Sequence, residues 1–265
     1  MANGKTKKSN GDMIPIHVTA HAQQAVLPEV AIDPGAFQGL EKSPEDIAGL
    51  LGAAMEDMDG RRMPTVTIPT GGSTQWIVDG LMGEEEVETL DGIVVYSHTQ
   101  RILWDGNFGD GPGGPPLCQS EDGKTGVGEP GGSCSTCSLK RFGEDGEKPR
   151  CTAKKRLFLL RPQSVMPLVV TLSVTSMANF EDYHLKAAGI GLNLFQIWTQ
   201  IGLERTKNQG GIQYSKATFK AAGVLPPQHL KAGRAYYETL RGRDLPAGAA
   251  AVDDFADERS FSESE

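Results

Sequence analysis

No run of about 18 apolar residues occurs in the chain, so the sequence offers no candidate for a membrane-spanning helix. Histidine is scarce and dispersed: His17, His21, His98, His184 and His229 form no metal-ligand or catalytic spacing. Aromatics make up 6% and apolar residues 38% of the 265 positions, low enough that part of the chain is expected as loop or tail. The N-terminal stretch MANGKTKKSNGD is basic but has no apolar core behind it. It is not read as a secretory signal, and a cytoplasmic protein with reduced thiols is expected. Gly123-Lys124-Thr125 has cysteine where a phosphate-binding loop needs its first glycine, with no strand before it or helix after it. Glu84, Glu85, Glu86 and Glu88 read as a solvated acidic run. With no nucleophile motif and no nuclease-like acidic cluster, no catalytic residue is assigned, and a non-enzymatic role is expected.

Charge is unevenly distributed. The formal net charge is -8, yet residues 253–265 hold six acids against Arg259 alone. Between Lys140 and Arg161 the balance reverses, with eight bases against three acids. A local basic patch inside an acidic chain sets the local potential, whatever the net charge.

Hydrophobic periodicity outlines the elements. Ser43-Pro44-Glu45-Asp46 reads as a capped helix start, followed by Ile47, Leu50, Leu51, Ala54 and Met55 at helical spacing, with Gly60 as the stop. Strands are expected at Thr65–Ile68, Thr74–Val78, Leu90–Trp104, Arg156–Leu160 and Leu168–Val174. Phe180–Leu203 reads as one long helix, although Gly189 and Gly191 weaken it. Ile212–Ala221 alternates as a strand, and Pro226-Pro227 opens a helix running to about Arg241. The expected organisation is a disordered basic arm at 1–12, one domain at 13–243 with an insert at about 105–155, and a disordered acidic tail at 244–265. The expected fold is α+β, mainly β: an antiparallel barrel of the oligonucleotide-binding (OB) type with C-terminal helices. An α+β sandwich fits the same element order.

The insert carries the strongest signal. Cys118, Cys134, Cys137 and Cys151 are the only cysteines, spaced C-x15-C-x2-C-x13-C within 34 residues. Four sulfurs suit a tetrahedral Zn2+ site, and with all four positions filled the ion is structural, one per chain. The glycines around them permit turns but build no core, so a metal can order the segment where burial cannot. Disulfides conflict with a reducing compartment, unrelated thiols with the clustering, and a redox pair with the missing βαβ context.

The basic patch flanks the last ligand. Lys140, Arg141, Lys154, Lys155 and Arg156, with Arg101 upstream, are expected at phosphates. Trp76, Tyr96, Trp104 and Phe158 are expected as stacking rings, with Phe142 nearby. Positive charge interleaved with aromatic faces on strands suits single-stranded nucleic acid. The acidic tail, with isolated Phe255 and Phe261, suits a docking peptide or a mimic of nucleic acid competing for the basic groove.

In this combination of strands at 65–104 and 156–175, insert at Cys118–Cys151 and tail at Asp253–Glu265, the chain resembles single-stranded DNA-binding proteins of phages and mobile elements. The resemblance implies an OB barrel with a zinc-stabilised insert, sequence-independent binding of single-stranded DNA, and a tail that recruits replication and recombination proteins. The alternative is a zinc-ribbon interaction or transcription-regulatory protein that binds a polymerase rather than DNA.

Overall fold

A computed structural model describes residues 27–29, 38–56, 63–80, 82–104, 116–144, 146–208 and 210–242. The basic arm, the acidic tail, the stop at Gly60 and most of the Gly/Pro stretch before Cys118 lie outside them.

Local chemistry sets the helix ends. Ser43 Oγ accepts from the Asp46 N–H at 3.1 Å and donates to the Asp46 carboxylate at 2.9 Å, closing the first turn of α1 (Pro44–Glu56). The helix α2 (Val174–Gly189) ends where Ile190 and Gly191 fold back on Ala187 and Ala188, with Gly191 at φ +78°. A proline in the first turn starts α3 (Pro227–Arg241).

The strands are β1 (Thr65–Thr67), β2 (Trp76–Gly80), β3 (Gly83–Val87), β4 (Thr89–Leu103), β5 (Cys118–Ser120), β6 (Thr125–Gly128), β7 (Gly132–Ser133), β8 (Cys151–Leu160), β9 (Leu168–Leu172), β10 (Ile197–Lys207) and β11 (Gln213–Val224). Nine form one sheet in the order β1-β9-β8-β4-β5-β6-β7, with β10 joining β4 to β11; β2 and β3 form a separate hairpin. All pairs are antiparallel except β1 with β9. The strand β4 connects the body to the insert. Along one edge it pairs β8 from Ile93 to Leu103. Along the other it pairs β10 at Thr89–Ile93 and β5 at Arg101–Leu103.

Alternation along β8 places Leu157 and Leu159 in one core with α2 and Trp76, and Phe158 and Leu160 in a second core with α1 and α3. The sheet is therefore a middle layer with apolar packing on both faces.

Two expectations are corrected. The sheet is open, not a closed OB barrel; a small barrel fills its single interior with its own side chains, whereas here helices bury both faces. The coarser expectation, a mixed and mainly β fold, stands. The stretch Phe180–Leu203 is the end of α2, a turn, and the first half of β10. Leu194, Ile197, Trp198 and Ile201 satisfy helical spacing, but Ile197, Thr199 and Ile201 also alternate, and pairing with both β4 and β11 selects the strand. The acidic run is exposed as expected, with Glu84, Glu85 and Glu86 on strand β3 and Glu88 just after it.

Candidate metal centre and nucleic-acid surface

The cysteines converge through strand register. Cys118 on β5 and Cys151 on β8 both pair with Leu103 of β4, so they lie on one rung of the sheet, on either side of that leucine. The chain between them returns as the hairpins β5–β6 and β6–β7, then a turn carrying Cys134 and Cys137. The Cys134 N–H donates to the Lys124 carbonyl at 2.7 Å, which ties this turn to the hairpin below. Asp122 shapes that hairpin by accepting from the backbone N–H groups of Lys124 at 2.7 Å and Thr125 at 2.9 Å. These bonds, led by the one from Thr125, hold its carboxyl below the usual range. The glycine-lysine-threonine sequence is thus an Asx-capped turn, not a phosphate loop.

All four cysteines line one cavity of about 20 Å3, together with Leu103, Arg101 and Lys140. That volume holds one water-sized body. Gly126 keeps the approach open: a Cβ there would sit 2.9 Å from Cys118 Sγ. All four are free thiols, Cys134 buried and the others half-buried. Burial pushes the Cys151 thiol up and the nearby Cys134 and Cys137 add to the rise, while the charge of Arg101 pulls it down. Among the described residues no group of three or more His, Cys, Asp or Glu side chains is arranged to hold a metal as it stands. Four cysteine sulfurs are the donor type and number of a closed structural Zn2+ site.

The expected nucleic-acid contacts are placed very differently from one another. Trp76 is fully buried, with its indole N–H donating to the Ile201 carbonyl at 3.0 Å, and Phe158 is also core. Neither ring offers a face to a base, a correction whose cause is the apolar layer on each side of the sheet. Lys154 and Arg156, at 5% and 8% exposure, are buried on the same face of β8 as Phe158, so they too are not free surface cations. The half-buried Lys155 lies 5.7 Å from the centroid of the Phe180 ring and 3.4 Å from Thr99 Oγ1. Burial there lowers its pKa. Tyr96 is half-buried among His98, Phe158 and Tyr237, and Trp104 is also half-buried. Arg101 and Lys140 belong to the thiol cavity.

Arg141 alone of those residues is exposed, and it has company. Lys124, Lys148 and Arg150 are exposed on the same flap, and Phe142 shows 71% of its surface. The turn beyond Phe142 is closed by Gly143 N–H to Glu147 O at 2.9 Å and Gly146 N–H to Gly143 O at 3.1 Å. Phe142 is the ring that sequence reasoning underrated. Its signal was an aromatic residue beside Arg141 in a stretch with no apolar periodicity.

His98 is buried beside Arg156 and between Tyr96 and Phe158. Burial, reinforced by Arg156 and Lys155, lowers its pKa to about 4, so it is neutral and apolar-facing at pH 7. It acts as a core residue, not a phosphate contact.

No helix among the described residues is long and apolar enough to cross a membrane. Compared with known proteins, the chain matches no family model, no curated protein and no solved structure.

Proposed function

We propose that this chain binds single-stranded DNA without sequence preference, using the outer face of a flap held in shape by one zinc ion on Cys118, Cys134, Cys137 and Cys151. The observation that carries the reading is the division of the basic residues. Bases on β8 are buried or half-buried, whereas Arg141, Lys148 and Arg150 are exposed on the same segment of the flap as the exposed Phe142. Cations tracking phosphates and a ring stacking on bases need no base-specific donor, so binding is sequence-tolerant and salt-sensitive. Bound zinc would supply a four-way cross-link and no open coordination position. The OB-like reading narrows to this surface chemistry. The acidic tail 253–265 is proposed to dock replication or recombination proteins and to compete for the flap when DNA is absent.

Fluorescence anisotropy with labelled oligo-dT, on the intact chain and on one lacking residues 253–265, tests the reading, with zinc measured on the same samples. The expected result is one zinc per chain and affinity that falls linearly on a log–log salt plot, tighter without the tail. Absence of binding by the tail-less, zinc-loaded protein would overturn it. The second reading, an interaction module for a polymerase or another protein, draws on Val127, 70% exposed on β6, which adds apolar surface that DNA does not need. It predicts zinc without oligonucleotide binding.

A further inference from the structure

We propose that Arg101 is the counter-charge and positioning residue of the thiolate centre, not a nucleic-acid contact. The inference rests on the zinc reading above. On β4, Arg101 lies two residues before Leu103 and therefore on the same face, the face where Cys118 and Cys151 flank that leucine. Arg101 lines the thiol cavity together with Cys151 and the other three cysteines. Four thiolates around one divalent cation carry a net charge of about -2. A partly buried excess of negative charge is costly unless matched by cations and N–H donors. Arg101 supplies both, from a strand locked by pairing on either side. Lys140, at the end of the turn that follows Cys137, lines the same cavity and adds positive charge. The exposed bases Arg141, Lys148 and Arg150 stand outside this lining. The basic patch thus has two separate tasks, one toward sulfur and one toward phosphate.

Outer residues that hydrogen-bond metal ligands typically govern affinity by about 10–100-fold. The test compares wild type, Arg101→Gln, Arg101→Lys and Arg150→Ala in the full-length protein. Zinc content is measured first, then the rate of zinc release to excess chelator. The sulfur-to-metal charge-transfer band is recorded after exchange with Co2+, and the salt slope of oligo-dT binding is measured last. R101Q is expected to release zinc at least 10-fold faster and to shift the cobalt band, with R101K restoring most of the retention. Its salt slope should match wild type, whereas R150A should lower the slope by about one and release zinc at the normal rate. Unchanged release in R101Q, or a slope lowered by about one, overturns the inference while leaving the zinc reading intact. A wild type with no stoichiometric zinc overturns that reading, and the inference with it. If wild type holds zinc but does not bind oligo-dT, release rates and cobalt spectra alone decide. Should R101Q not fold, Arg101→Met, which removes the charge and keeps the side-chain length, carries the same comparison against R101K.

Discussion

The body of the sheet and the flap between β5 and β8 solve the folding problem in opposite ways. In the body, β8 and β9 bury apolar side chains on both faces, between α2 on one side and α1 with α3 on the other. In the flap, residues 121–150 include seven glycines, and Cys134 is the one described apolar residue there that is buried. Burial contributes roughly 25 cal/mol per Å2 of apolar surface, so the body can support itself and the flap cannot. The difference teaches that stability and the proposed function reside in separate parts of one chain. A cross-linked loop can then carry exposed cations and an exposed ring without weakening the core.

The sharpest way to break this comparison is one substitution in each region. Trp76→Ala removes the largest fully buried side chain and leaves the Ile201 carbonyl without its donor. It should cost the body about 3–5 kcal/mol, read as a lower urea midpoint. Cys137→Ser should leave that transition in place, lose stoichiometric zinc and open residues 121–150 to protease. A body midpoint lowered as far by C137S as by W76A would show that the two regions are one cooperative unit.

A pH scan sharpens the same boundary. His98 has its pKa lowered to about 4 in the folded chain, against 6.5 in an unfolded one. Between those values the unfolded chain binds the extra proton, so stability is full above pH 6.5 and falls as the pH drops toward 4. The full effect is roughly 3 kcal/mol. His98→Phe keeps a ring between Tyr96 and Phe158 and should flatten that window in denaturation measured from pH 7 to 4. An unchanged acid limb would assign the loss to other groups.

The smallest expected effect on folding is the most informative about function. Phe142→Ala should leave the melting temperature unchanged, because the ring is 71% exposed. It should weaken oligo-dT binding by about 1–3 kcal/mol for one stacked base, roughly 5–150-fold. Equal affinity for both proteins would remove Phe142 from the surface.

Much of the fold was legible where neighbours in sequence are neighbours in space. The Ser43 cap with Asp46, the proline-led start of α3 and the apolar runs of β4, β8 and β9 are all local signals, and each element forms there, although β8 starts at Cys151 rather than Arg156 and β9 ends at Leu172, with Val174 already in α2. Legibility failed where two periods coincide. Residues 194–201 fit a helix and a strand equally, and only the partners β4 and β11 decide between them. It failed again for the basic patch. Lys154 and Arg156 follow Cys151 as closely as any surface run would, yet β8 is an interior strand.

What the sequence determined by itself is the set of groups available: four sulfurs within one glycine-rich segment, bases on both sides of the last of them, and local caps and periods that define most elements. Only the tertiary structure decided which of those groups meet and which face solvent. Pairing of β4 with β5 and β8 sets Cys118 and Cys151 on one rung, places Arg101 in the lining of the thiol cavity, and buries Lys154 and Arg156 while Phe142 stays outside. The physical reason is that caps and periods act over a few residues, whereas strand register is settled by partners 15 to 67 positions away in the chain.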